Sequence, residues 1–165
     1  MNTQEIIEDF VAQRVLALVG ISRNPRKFGT MVFKELKARG YRIYPVHREA
    51  PSIEDERCYL NLQSLPEPVG GVIVVVPPKE TEAVVREAAG AGIRRVWMQQ
   101  GAESEEAILF CRENVLTVVY GRCILMYAPE VRSFHRLHRF FSRITGRLYR
   151  EPRTPSGKAG DRRTK

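Results

Sequence analysis

The sequence predicts an α/β fold, with helices covering both faces of a mainly parallel sheet of about five strands. Short apolar runs alternate with stretches of helical composition along most of the chain. The most apolar run, Val72–Val76, contains only valine and isoleucine, as expected of a parallel strand that is buried on both faces. Alternation of this kind predicts a doubly wound sheet with right-handed crossovers.

The first elements follow from spacing and from glycine. Thr3–Gln13 has apolar residues at helical spacing and acids in its first turns, so it is predicted to be a helix that docks on the core. The apolar run Val15–Val19 is predicted to be the first strand, which ends at Gly20. Gly29–Arg39 is predicted to be the next helix, and Gly40 ends it.

The remaining elements alternate in the same way. Four apolar or alternating segments are predicted to be strands: Tyr41–Val46, Val72–Val76, Arg95–Met98 and Leu116–Val119. Lys79–Ala89 and Glu103–Asn114 are predicted to be helices with acids near their starts. The stretch Ser52–Pro66 has room for a loop and one short helix.

Composition restricts the class of protein. The 165 residues are 43% hydrophobic and 28% charged, which indicates one globular domain and excludes a disordered chain. No apolar run approaches the ~20 residues of a membrane span. The acidic start lacks the features of a signal peptide, so we expect a cytoplasmic protein. The three cysteines show no C-x-x-C spacing, so we expect reduced thiols and no metal site.

The charge is distributed unevenly. Residues 1–131 hold 16 basic and 17 acidic side chains, whereas residues 132–165 hold 11 and 2. We therefore predict a neutral domain over 1–129, a basic amphipathic helix over 130–150, and a disordered basic tail over 151–165. The basic segment either docks on the sheet or binds a polyanion (RNA or anionic lipid) or an acidic protein.

The loop after the first strand has the composition of a phosphate site. The segment from Gly20 to Gly29 combines two glycines with the cations Arg23, Arg26 and Lys27 at the start of a helix. N–H groups at a helix start carry partial positive charge, and Gly20 is expected to let a phosphate approach the main chain. The spacing is neither G-x-G-x-x-G nor a P-loop. The alternative is an ordinary connection with solvated cations.

The loop after the second strand narrows the choice of ligand. An NAD site would place an acidic residue there to bind a ribose, but this chain has His47 and Arg48. Cations at this position suit a nucleotide with an additional phosphate near its ribose, which leaves coenzyme A and NADP. The alternative is that both residues are simply exposed.

Several short motifs match a known family. They are Leu18–Ser22 with Pro25, Tyr44–His47, Cys58-Tyr59, Leu65–Pro68, Val96–Gln99 with Gly101, and Arg122-Cys123. From Val15 to Met126 the chain thereby resembles the CoA-binding domain proteins, which are small Rossmann-like relatives of the nucleotide-binding part of the succinyl-CoA synthetase alpha subunit.

The resemblance implies a binding site for coenzyme A in four groups of residues. Those expected along the pyrophosphate are Gly20, Ile21, Ser22 and Arg23, with Lys27 nearby. Those expected near the adenosine end are His47 and Arg48. An apolar wall would come from Val76, Pro77 and Pro78. The pantetheine path would be bordered by Met98, Gln99 and Gly101.

Catalysis is not expected. The synthetase needs a phosphorylatable histidine in a further domain and a partner subunit, for which this length leaves no room. His135 and His138 lie among arginines and are predicted to form a basic helical face rather than a metal site. Cys123 follows Arg122 at the ligand edge of the sheet, where it would either react with the CoA thiol or pack inertly.

We therefore predict a noncatalytic protein that binds CoA or an acyl-CoA and that can form homo-oligomers. One alternative is an NADP-linked oxidoreductase or regulator, which the missing middle glycine disfavours. The other is an RNA or membrane adaptor that acts through the basic segment.

Overall fold

A computed structural model of the chain describes residues 2–129, and its parallel sheet confirms the predicted α/β fold. The strands are β1 (Val15–Val19), β2 (Arg42–Val46), β3 (Ser52–Ile53), β4 (Glu56–Arg57), β5 (Gly71–Val74), β6 (Arg95–Gln99) and β7 (Thr117–Arg122). The helices are α1 (Thr3–Ala12), α2 (Phe28–Ala38), α3 (Pro78–Gly90) and α4 (Glu105–Glu113). The predicted helix over 130–150, the tail over 151–165, His135 and His138 lie outside the described residues.

The order of the strands determines where a ligand can approach. The large sheet runs β2-β1-β5-β6-β7 with all neighbours parallel, while β3 and β4 form a separate antiparallel hairpin. The chain leaves β1 toward β2 and later returns to the other side of β1 at β5. Val19 is level with both Val46 and Val74, so these three strands end together. The topological switch point therefore lies beyond Val19 and Val74.

Helix α1 docks on the sheet as the sequence predicts. The ring of its Phe10 is buried 5.3 Å from the ring of Trp97, which is itself fully buried on β6. Asp9 accepts two hydrogen bonds from Arg95, at 2.6 and 3.2 Å. The helix is capped by Asn2, whose side chain accepts the N–H of Glu5 in a reciprocal capping box. Within residues 2–129, no helix is long and apolar enough to cross a membrane.

A buried arginine joins α2 to the last part of the domain. The Arg39 side chain is 3% exposed and donates from Nη1 to the carbonyl oxygens of Leu125 and Ala128, both at 2.8 Å. Its Nε also donates to Glu35, one helical turn earlier, at 2.9 Å. Because the guanidinium pairs with a carboxylate and two carbonyls, its burial is compensated. The segment that follows β7 is thereby held against the end of α2.

The segment between β2 and β5 differs from the prediction of a loop with one short helix. The short helix is present as a 3₁₀ turn over Leu62–Ser64, but a β3–β4 hairpin precedes it. Its turn residues Glu54 and Asp55 have φ of 51° and 60°, as in the two-residue turns that suit the twist of a hairpin. The hairpin was missed because neither turn residue is glycine or asparagine.

Helix α4 ends with a valine in a conformation that favours glycine. Val115 has φ of 56°, its N–H donates to the carbonyl of Arg112, and the N–H of Leu116 donates to that of Cys111. This pair of bonds is the Schellman ending, in which glycine is the usual residue at the position of Val115. The side chain is 85% exposed, so little packing offsets the backbone strain.

Replacing Val115 with glycine is expected to stabilise the protein by about 1 kcal/mol, since the left-handed conformation costs a side-chain-bearing residue about 1–2 kcal/mol and glycine loses part of this gain to chain entropy. Thermal melting of the two proteins measures the effect. Val115→Ala retains a Cβ and is the control, with a smaller gain expected. A lower melting temperature for Val115→Gly would show that the backbone at Val115 is not strained.

Candidate functional site

The loop after β1 begins and ends at a glycine, and neither position has room for a side chain. A Cβ at Gly20 would lie 2.3 Å from the carbonyl oxygen of Val75, just beyond β5, and Gly20 has φ of 106°. A Cβ at Gly29, in the first turn of α2, would lie 2.2 Å from the carbonyl oxygen of Gly20. The sequence suggested that Gly20 makes room for a phosphate, but its missing side chain makes room for Val75. Gly20 is thus required at the switch point for packing.

Four N–H groups of this loop bind within the loop or to α2. The N–H of Ser22 donates to the hydroxyl of Thr30 at 3.1 Å, and that hydroxyl donates back to the Ser22 carbonyl at 2.7 Å. The N–H of Asn24 donates to the Ser22 hydroxyl, and that of Arg26 donates to the Asn24 side chain. These N–H groups are therefore already paired in the structure and are not free to bind a phosphate. Buried Thr30, which sequence reasoning missed, holds the loop in place.

Donors remain at the first turn of α2. No side chain caps this helix, and the N–H groups of Gly29 and Thr30 have no acceptor within residues 2–129. Arg23, Arg26 and Lys27 are exposed beside them. Partial positive charge at a helix start together with neighbouring cations forms an arrangement that binds phosphate.

The loop after β2 is organised by the ring of His47. Its Nδ1 accepts the N–H groups of Glu49 at 3.1 Å and Ala50 at 2.9 Å, and the ring is half-buried. Arg48 is exposed and forms no ion pair in the described part of the chain. The Glu49 carboxylate lies 3.8 Å from the Arg23 guanidinium, so the structure brings the first and second loops together. His47 shapes the loop, and Arg48 is the cation that it presents.

The third part of the site is a cleft beyond β5 and β6. Val76 is half-buried, whereas Pro77 and Pro78 are exposed where α3 begins. The cleft has a volume of about 290 Å³ and is lined by Val75, Val76, Pro77, Gln99, Gln100, Gly101 and Ala102. Val75 also contacts Gly20, so the cleft adjoins the loop after β1.

The three residues predicted along the pantetheine path differ in their exposure to solvent. Met98 is 0% exposed and Gln99 is 1% exposed, and Met98 packs in the hydrophobic core. Met98 therefore presents no surface to a ligand in this structure. Gly101 is exposed, has φ of 89°, and donates its N–H to the Glu103 carboxylate at 2.7 Å. A contact with the arm stays a prediction for Gly101 and for the edge of Gln99 that borders the cleft.

A second threonine forms a hydrogen bond to a residue that lines the cleft. The hydroxyl of Thr81, on α3, is fully buried and donates to the carbonyl oxygen of Ala102 at 2.5 Å. The N–H of Ala102 donates to the carbonyl oxygen of Gln99 at 2.7 Å, which closes a tight turn. The contact of Thr81 could not be anticipated from sequence, because it joins separate elements.

The cysteines are packed. Cys58, Cys111 and Cys123 are all buried, and Cys123 is 3% exposed. Burial raises the pKa of the Cys111 thiol to about 11 and also raises the pKa of Cys58. Both thiols are therefore protonated at neutral pH. Among the described residues, no group of three His, Cys, Asp or Glu side chains could hold a metal ion.

The volume of a cleft does not by itself identify the candidate site. A larger cleft of about 600 Å³ runs along the edge strand β7 between α1 and α4. Half of its lining residues are aliphatic, and the lining includes the exposed cations Arg112 and Arg122. The unpaired N–H groups and the cluster of cations occur together at the start of α2, which is why we assign the candidate site there.

Comparison with known proteins identifies the family of the chain. A family model described as a CoA binding domain matches residues 14–129. The chain is 30% identical over 92 residues to the ADP-forming acetate–CoA ligase II subunit alpha of Pyrococcus furiosus, a match that covers 55% of this chain and 20% of the ligase subunit. The chain thus spans about a fifth of that relative.

Two solved structures cover most of the described domain. A conserved hypothetical protein from Pyrococcus furiosus is 40% identical, with a TM-score of 0.66, over 68% of this chain and 97% of its own. A hypothetical protein from Pyrococcus horikoshii OT3 is 29% identical, with a TM-score of 0.72, over 77% of this chain and 89% of its own. Both are small proteins that share this fold.

Proposed function

Since the chain belongs to the CoA-binding domain family, we propose that it binds coenzyme A or an acyl-CoA at the switch point and catalyses no reaction of its own. The observation that carries this proposal is the uncapped first turn of α2. There the positive end of the helix and the exposed cations Arg23 and Lys27 belong to one stretch of chain that follows the end of β1. A pyrophosphate would supply negative charge to this helix start and to Lys27, which forms no ion pair within residues 2–129, whereas Arg23 already pairs with Glu49.

The rest of the ligand extends from this point in two directions. Arg48, on the loop that meets Arg23 through Glu49, lies where the adenosine end and its 3′-phosphate would bind. The cleft beside Val76 and Pro77 takes the pantetheine arm, because it adjoins the loop and its walls suit an alkyl chain. The phosphates are thus held by charge and the arm by shape.

A binding role is favoured over a catalytic one by the state of the reactive side chains. His47, the histidine nearest the loops, uses Nδ1 to accept two main-chain N–H groups, which holds its ring in a structural role. Cys123, at the ligand edge of the sheet, is buried. These side chains are therefore poorly placed to act as a general base or a nucleophile.

Native mass spectrometry of the purified protein tests the proposal without assuming a reaction. The expected result is retained CoA or acyl-CoA, identified after denaturation, or saturable uptake when CoA is added. NADP is the control ligand, and we expect it to bind more weakly. Binding of NADP in preference to CoA would contradict the proposal. Hydrolysis or transfer of an acyl group by the protein would contradict the noncatalytic role.

Replacing Arg48 with alanine is expected to weaken the binding of CoA by roughly 10- to 150-fold. The reason is that a hydrogen bond to a charged group contributes about 1.5–3 kcal/mol. Calorimetry measures the affinity. Dephospho-CoA, which lacks the 3′-phosphate, is the matched ligand, and its affinity should fall much less in the variant. Equal losses for the two ligands would show that Arg48 does not read that phosphate.

A further inference from the structure

The two edges of the large sheet differ in how they are covered. At the β2 edge, the N–H of Tyr59 donates to the carbonyl oxygen of Pro45, and the N–H of His47 donates to that of Tyr59, both at 2.9 Å. Pro45 itself has no N–H group, and proline is one of the residues that protect sheet edges. The other edge is β7, where in the described part of the chain only β6 pairs with it. β7 is therefore the open edge of the sheet.

The main chain of β7 presents hydrogen-bonding groups at this open edge. The N–H of Thr117 donates to the carbonyl oxygen of Arg94, so the main-chain groups of Thr117 face β6. Successive residues of a strand direct these groups to alternate sides. Those of Val118 and Tyr120 therefore face away from β6, where no strand of residues 2–129 pairs with them. An occupant of the edge needs main-chain donors and acceptors of its own.

The cleft of about 600 Å³ that runs along β7 is positively charged. Its lining includes the exposed side chains of Arg112 and Arg122, and it includes no aspartate or glutamate. Arg112 donates to the Tyr120 hydroxyl at 3.3 Å, so this cation lies beside the open edge. Val115 is 85% exposed and Tyr120 is 41% exposed, which leaves apolar surface for contact. The cleft thus suits an occupant with apolar side chains and negative charge.

We propose that the open edge of β7 binds an extended acidic segment of another protein, which adds to the sheet as a further strand. The main chain of that segment pairs with Val118 and Tyr120, as in β-strand addition. Its carboxylates pair with Arg112 and Arg122. None of the residues proposed to bind CoA lines this cleft, so the proposal does not depend on the proposed function.

Charge favours an acidic partner over the two occupants that this protein could itself supply. A second copy that paired through its own β7 would bring a second Arg112 and a second Arg122 to the same surface. Residues 132–165 hold 11 basic and 2 acidic side chains, so that segment is also positively charged. Like charges that are brought together oppose binding. Neither occupant therefore matches the charge of the cleft.

Calorimetry of the full-length protein with a defined peptide tests the proposal. The probe is a capped peptide of three Glu-Val repeats, and the control peptide has lysine in place of each glutamate. The acidic peptide should bind saturably and more weakly as salt rises, whereas the lysine peptide should not bind. Arg112→Gln and Arg122→Gln should each weaken binding by roughly 2- to 5-fold, the range for an exposed ion pair. Arg57→Gln is the matched control, because Arg57 is exposed but does not line the cleft.

Methylation of the peptide nitrogens tests whether the main chain takes part. An N-methyl group removes an N–H donor, and only alternate residues of an added strand face β7. Methylation of one alternate set of residues should weaken binding by about tenfold or more, because several hydrogen bonds are lost. Methylation of the other set should have little effect. Equal effects of the two sets overturn strand addition.

Amide hydrogen exchange of the wild-type protein gives a measurement that needs no variant. Without peptide, the amide protons of Val118 and Tyr120 should exchange faster than that of Thr117, which is bonded to β6. Saturation with the acidic peptide should slow exchange at Val118 and Tyr120. Unchanged exchange at these two residues overturns the proposal, as does the absence of binding at millimolar peptide. Slow exchange without peptide in a protein that sediments as a dimer assigns the edge to a second copy and also overturns it.

Discussion

Replacing Arg39 with alanine is expected to lower the free energy of unfolding by about 3–5 kcal/mol, the range for removing one partner of a buried charged network. The change leaves the carbonyl oxygens of Leu125 and Ala128 without the donor that each has at 2.8 Å. It also removes the cation that pairs with the Glu35 carboxylate. Urea denaturation followed by circular dichroism measures the loss.

Helix α3 offers a matched control in Arg86→Ala. Arg86 pairs with Glu82 four residues earlier, as Arg39 pairs with Glu35, but its side chain is 57% exposed. An exposed pair of this spacing contributes about 0.3–0.5 kcal/mol, and the contact of Arg86 with the ring of Phe110 adds up to about 1 kcal/mol. Similar losses in the free energy of unfolding for the two variants would show that burial does not make the Arg39 contacts stronger.

Replacing Gly20 with alanine is expected to destabilise the protein by about 2–6 kcal/mol through two additive costs. An alanine at φ of 106° is strained by about 1–3 kcal/mol. Its Cβ would also lie 2.3 Å from the Val75 carbonyl oxygen, and such overpacking typically costs about 1–3 kcal/mol. The same denaturation experiment measures the total.

Gly40→Ala separates these two costs. Gly40 also has positive φ, 79°, but nothing lies within 4 Å of the position that a Cβ would take. Its loss should stay near the 1–2 kcal/mol of the left-handed conformation alone. If Gly20→Ala cost no more than Gly40→Ala, the close approach of β1 to Val75 would not matter for stability.

The fold could be predicted because burial leaves a simple pattern in the sequence. β1 lies at the predicted Val15–Val19, and every other strand of the large sheet overlaps its predicted range. The ends of elements were less accurate. Strand β7 continues past Val119 to Arg122, with Gly121 at φ of 65° and a shift in its pairing with β6. An irregularity of this kind depends on the neighbouring strand, which the local sequence does not describe.

The candidate site could be located from sequence but not detailed. Its position follows from the order of strands and helices, and the cations of the loop after β1 are visible in the sequence. The packing role of Gly20 was not visible, because Val75 is 55 positions away in the chain. Likewise, the pairing of Ser22 with Thr30 and of Gln99 with Ile124 depends on tertiary contacts between separate elements.

The contact between Arg39 and the segment after β7 also constrains how the protein is made. Leu125 is synthesised 86 residues after Arg39. At a translation rate of about 5–20 residues per second, α2 exists for roughly 4–17 s before its arginine meets the first of these carbonyl groups. During that interval the guanidinium stays in water and the end of α2 is uncovered. The domain should therefore complete its folding only when this last segment has left the ribosome, however early the first strands pair.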